Sequence, residues 1–148
     1  MKSLLKNKNF LSAYKSINNL DSWFSEHLLY FYNEKKSLIT ILFHGLFNNE
    51  DEIKLNHVHP QQSMTTEKFE QFINYYIKNN YKFVSPDDIL NGLDPTKNHI
   101  LITFDDGYYN NQLALPILKK YDVPALFFIS SNHIKHNKCF WWDVIFRQ

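Results

Sequence analysis

Residues Ile100-Leu101-Ile102-Thr103-Phe104-Asp105-Asp106-Gly107 decide the fold. Apolar and β-branched side chains run unbroken from Ile100 to Phe104, and two acids and a glycine then stop them. An unbroken apolar run of this length reads as a strand covered on both faces, as in a parallel sheet. Neighbouring strand side chains point to opposite faces. Asp105 and Asp106 can therefore serve one site only where the strand ends and the chain bends, and Gly107 permits that bend. Two acids held close together repel, so they need a cation, or one must take up a proton. A metal would satisfy one acid and leave the other free as a base. Asp-Asp-Gly is also a common turn, in which both acids cap the following helix. Spacing alone leaves both readings open.

Outward from this stretch, similar runs recur. Leu38 to Phe43 is β-branched and apolar, reads as a strand buried on both faces, and stops at His44-Gly45. Residues 46–63 are polar and acidic and read as a long loop. Thr65 or Thr66 starts a helix with Phe69, Phe72, Ile73, Tyr76 and Ile77 on one stripe. Tyr81 to Val84 is a short strand. Ser85-Pro86-Asp87-Asp88 is a helix start, so those acids are dipole partners, and Gly92 fits the helix end. Residues 109–121 are helical, with Pro116 kinking or restarting the helix. Pro124 to Ile129 is a strand, and residues 140–146 read as a last helix. Residues 1–36 read as a helical extension in which Asp21 caps a second segment and His27 packs on its apolar face. Alternating strands and helices over residues 37–148 argue a parallel α/β sheet, open or curved into a barrel. Active sites in such folds lie at the carboxyl ends of the strands. His44 and Asp105-Asp106-Gly107 occupy two such ends.

Composition limits the function classes. The chain has 148 residues, 44% hydrophobic and 17% aromatic, with a formal charge of +1. That is a globular composition without a broad basic field, which argues against nucleic-acid binding. The single cysteine, Cys139, cannot form an internal disulfide or a thiolate zinc cluster, and reads as a half-buried apolar residue beside Phe140. Charged and amide residues interrupt the N-terminus before a signal-peptide core forms, and no apolar run approaches the ~20 residues of a membrane span. A soluble, cytoplasmic chain without a transmembrane segment is the expectation.

The stretch Ile100 to Tyr108 resembles the first signature of the polysaccharide deacetylase family, which includes chitooligosaccharide and peptidoglycan deacetylases. Leu115 to Tyr121 followed by Val123 to Ile129 resembles the family's next helix and strand, and Phe140-Trp141-Trp142-Asp143 its tryptophan-rich segment. The resemblance implies the first part of a distorted (β/α) barrel. It implies a divalent metal, often zinc, and removal of N-acetyl, sometimes O-acetyl, groups from a carbohydrate or polysaccharide. It makes Asp105 the general base and Asp106 a metal ligand. His44, Tyr108, Trp141 and Trp142 are placed in the substrate cleft.

The family's second signature, His-Ser/Thr-x-x-His-Pro, is missing from the chain. His57 and His59 are two apart and precede the aspartates; His133 and His136 lack the following proline and sit in a polar loop; His99 precedes its strand. Arg147 matches no family arginine. The chain alone is therefore expected to be an inactive portion of such an enzyme and marginally soluble. The alternative is a truncated deacetylase-like module that at most binds glycan through Trp141, Trp142, Tyr108 and Tyr109. A glycosidase pair fits poorly, because adjacent acids do not flank a bond at ~5–9 Å separation.

Overall fold

A computed structural model describes residues 38–148. The helices expected over residues 1–36, with Asp21 and His27, lie outside the described residues. Four parallel strands form one sheet: β1 (Leu38–Phe43), β2 (Tyr81–Phe83), β3 (Asn98–Phe104) and β4 (Ala125–Phe127). β3 is central. β1 pairs along it from Leu38 opposite His99 to Phe43 opposite Phe104. On the other side β2 pairs with its first half and β4 with its second. The sheet is α/β and parallel as expected, but it is open: among the described residues it does not close into a barrel.

Seven short helical segments connect and cover the strands: α1 (Glu50–Lys54), α2 (Thr66–Lys78), α3 (Pro86–Leu90), a 3-10 turn (Tyr109–Ala114), α4 (Leu115–Lys120), α5 (Ser131–His136) and α6 (Trp141–Phe146). Residues 46–63 are less loop-like than expected. Asn49 caps α1 by accepting from the Glu52 N–H at 2.9 Å, and acids fill the first turn. Leu46 and Phe47 are buried. The α2 stripe is as expected at Phe69 and Ile73, both buried, but ends in exposed Ile77. Pro116 sits in the first turn of α4, so the helix restarts there, where a missing N–H costs nothing.

Period-two alternation along β3 divides the sheet into two faces. Ile100, Ile102 and Phe104 are fully buried against α2, the 3-10 turn and α4, with Phe43, Leu46, Phe69, Ile73, Ala114, Leu118 and Val123 completing that core. Leu101 and Thr103 point the other way, toward a groove of about 600 Å³ that Thr40, Leu42, Leu126 and Phe128 also line. The expectation that β1 is buried on both faces is therefore corrected. Leu38 and Leu42 are 38% and 39% exposed, because among the described residues β1 is an edge strand with a layer on one side only. Cys139 is exposed, not half-buried.

The α3 start makes an acid-dependence testable. Ser85 and Asp88 form a reciprocal capping box, with Asp88 Oδ2 accepting from both the N–H and Oγ of Ser85 at 2.7 Å. Those bonds hold the Asp88 carboxyl below its ordinary 3.8. Bonds from the Thr96 hydroxyl and N–H do the same for Asp94. A depressed folded value means the stabilisation is present above the unfolded value and lost as pH falls through the folded one. The melting temperature is expected to drop as pH is taken below 3.8, and less steeply in Asp88→Asn; melts across pH 5 to 2 check it.

Candidate active site

The Asp-Asp-Gly turn is held from both neighbouring strands. The Asp105 N–H donates to the Phe43 carbonyl at 2.8 Å, across from β1. On the β4 side, the Phe128 N–H donates to the Phe104 carbonyl at 2.7 Å and the Ser130 N–H to the Asp106 carbonyl at 3.3 Å. The bend starts one residue earlier than the glycine. Asp106 has φ 69° and Gly107 φ 72°, two consecutive left-handed residues. Aspartate tolerates that region better than most residues. At Gly107 a side chain is disfavoured twice: by φ, and because a Cβ would crowd Ile129 at 3.1–3.3 Å.

This turn brings the two carboxylates together. Asp105 and Asp106 both line the groove on the open sheet face, with Thr103, Phe128, Ile129 and Ser130. Asp106 also faces a second cavity, lined by His44, His59, Gln61 and Trp142. A third, of about 500 Å³, includes Asp106, Tyr108, Tyr109, His133 and Asp143. Burial pushes the Asp106 carboxyl above its ordinary 3.8; His44 pulls it down, and Asp105 and Asp143 push it further up. An ionised Asp106 is thus disfavoured in the fold. The sign is opposite to Asp88: a raised folded value gives stability present at low pH and lost as pH rises through it. Asp106→Asn is expected to melt higher than wild type at pH 7, the gap closing below pH 3.8. Asparagine also tolerates φ 69°, so the turn is kept.

Of the residues placed in the cleft from the sequence, His44, Tyr108 and Trp142 border cavities with Asp106. Trp141 lines neither of them; it is 68% exposed, with its ring nearly perpendicular to that of Trp142 at 5.5 Å. The His44 ring sits at the end of β1 with a buried Nδ1 that has no hydrogen-bond partner among the described residues. Tyr108 and Trp142 are bonded to each other, Nε1 to Oη at 2.7 Å, and Trp142 stacks on Phe140 at 4.7 Å. Their polar edges are committed within the protein, while Tyr109 is 87% exposed.

Two residues assigned to loops reach the site. His133 is on α5, not in a polar loop. Its Nδ1 meets Ser130 Oγ at 2.8 Å and its ring lies on Phe140 at 4.2 Å. His59 lines the cavity opposite Asp106. The local signal for His133 is Ser130 three residues earlier, which stands at the N-cap position of α5. His59 carries no local signal. His99 does not precede its strand: it is the second residue of β3, buried at the amino end and away from the turn. A carboxylate destabilised by burial suits a cation, so Asp106 fits a metal ligand chemically. Among the described residues, however, no three His, Cys, Asp or Glu side chains gather as a metal cluster.

Residues 92–147 match the family model for polysaccharide deacetylase. A segment of 74 residues is 35% identical to YxkH of Bacillus subtilis strain 168, provisionally named a polysaccharide deacetylase, covering 47% of this chain and 26% of that protein. Another of 44 residues is 46% identical to an uncharacterised 30.6 kDa protein of Geobacillus stearothermophilus, covering 28% of this chain and 17% of that protein. The matches span 17% and 26% of these relatives' lengths. The fold is similar to a de-N-acetylase from Aggregatibacter actinomycetemcomitans, with TM-score 0.52 and 24% identity over 61% of this chain and 36% of that one. Strand, turn and flanking segments agree with these likenesses, and residues 92–147 resemble the polysaccharide deacetylase family.

Proposed function

We propose that the chain supplies the base and one metal ligand of a carbohydrate deacetylase that hydrolyses N-acetyl, or O-acetyl, groups. The observation that carries this reading is that Asp105 and Asp106 face one groove at the carboxyl end of the central strand. Asp106 would hold a divalent metal such as zinc, which when bound polarises the acetyl carbonyl and makes water more acidic. Asp105 takes the proton from the attacking water and later returns it to the leaving sugar nitrogen or oxygen. The turn fixes the Asp105 main chain through its N–H bond to β1, so the base would start from a set backbone position before substrate arrives. His44 borders the cavity beside Asp106 and would line the substrate cleft.

The test measures acetate released from N- and O-acetylated oligosaccharides. The chain is assayed alone and joined, after Gln148, to the remainder of the Bacillus subtilis relative. Alone it is expected to release essentially none, because Asp106 is its single assigned ligand. The joined protein is expected to release acetate with zinc and to stop on chelation. Release that survives both chelation and Asp105→Asn would sink the reading.

A further inference from the structure

Asp143 is the only buried acid among the described residues, at 3% exposure. A buried carboxyl is costly unless its oxygens are satisfied. Here both are. Oδ1 accepts the His59 N–H at 2.9 Å, and Oδ2 accepts the Tyr108 hydroxyl at 2.9 Å. Tyr108 Oη in turn accepts the Trp142 indole N–H at 2.7 Å. These bonds join segments 84 and 35 residues apart.

The rest of α6 works on the same loop. Phe146 and Arg147 follow Asp143 at i+3 and i+4 and so share its face. The Phe146 ring meets the His59 ring edge-on at 4.8 Å, and Arg147 Nε donates to the His57 carbonyl at 2.6 Å. At the loop's other end Gln62 accepts from the His44 N–H at 3.1 Å and donates to the Leu42 carbonyl at 2.7 Å. Residues 57–62 therefore bridge the end of β1 and α6, and His59 and Gln61 close one side of the Asp106 cavity.

We propose that Asp143 is a positioning residue: it locks Tyr108, Trp142 and the 57–62 loop into one wall of the saccharide site around Asp106. This rests on the reading of that site as carbohydrate-binding. Asp143 touches no reacting atom; it acts through Tyr108 and His59.

The test is amide and indole hydrogen exchange in the full chain, read residue by residue by NMR, with chitotetraose as the saccharide probe. In wild type, the His59 amide and Trp142 indole N–H, both hydrogen-bonded, are expected to exchange slowly. In Asp143→Ala both are expected to speed up about tenfold or more while the Ile102 amide in β3 stays protected. Asp143→Asn keeps an acceptor for the His59 N–H, so His59 protection is rescued and the Trp142 indole alone accelerates. Tyr108→Phe gives the same split without touching Asp143. It decides the matter should the alanine variant fail to fold. Chitotetraose is expected to shift the Gly107 and His59 amides in wild type and to bind about tenfold more weakly to Asp143→Ala, with Asn partly restoring it. Unchanged exchange at His59 in Asp143→Ala, or at the Trp142 indole in Tyr108→Phe, overturns the proposal. Wild-type spectra that ignore the saccharide overturn the carbohydrate reading of the site instead.

Discussion

Asp105→Asn is expected to lower the turnover number of the joined enzyme by roughly 10²–10⁴-fold, the usual contribution of a positioned general base, with KM little changed. Asparagine has the same shape and keeps the N–H that donates to the Phe43 carbonyl at 2.8 Å, so the turn stays in place. What it lacks is the ability to accept a proton. The melting temperature should therefore match wild type, and the loss should lie in the chemical step. Asp106→Asn loses activity by another route, through metal affinity, and excess zinc restores part of it. The contrast separates the two acids although they are neighbours. A variant Asp105→Asn with wild-type turnover would remove Asp105 from the reaction.

The parts of this fold legible in the sequence were those set by local rules. The Ser85-Pro86-Asp87-Asp88 start is complete within four residues, and its capping box is present. The β3 run and the turn after it were readable because parallel strands are apolar throughout and Asp106-Gly107 must bend. What local rules do not carry is which neighbour a strand acquires. β1 has the same apolar composition as β3, yet it lies at the edge and exposes Leu38 and Leu42. The site divides in the same way. Asp105 and Asp106 announce themselves by adjacency. His59 joins them through Asp143, 84 residues on, a contact that no spacing rule reports. Trp141 and Trp142 are indistinguishable in composition, and only the turn of α6 sends Trp142 to the cavity and Trp141 to solvent.

Phe104→Ala should have the largest effect on stability. Phe104 is fully buried and ends β3 one residue before the carboxylate pair. Its ring stacks on Phe127 at 4.7 Å, lies 5.5 Å from Phe43, and meets Phe69 edge-on at 5.8 Å. It thus links β1, β3, β4 and α2 in one aromatic cluster. Removing a ring of this kind costs about 3–5 kcal/mol, through lost burial and the cavity left behind. Whole domains are stable by only about 5–15 kcal/mol, so a loss of this size is a large fraction of the total. The variant is therefore expected to be largely unfolded at 37 °C, shown by loss of cooperative urea unfolding in circular dichroism. Thr103→Val is the control. Thr103 is also buried, at 4%, but it faces the groove. Valine keeps its volume and loses only the hydroxyl that donates to the Ile41 carbonyl at 3.4 Å, so the stability should fall by about 0.5–1.5 kcal/mol. If Phe104→Ala unfolds no more readily than Thr103→Val, then the aromatic cluster is not what holds the two carboxylates in register, and the turn must be fixed by its backbone bonds to β1 and β4 alone.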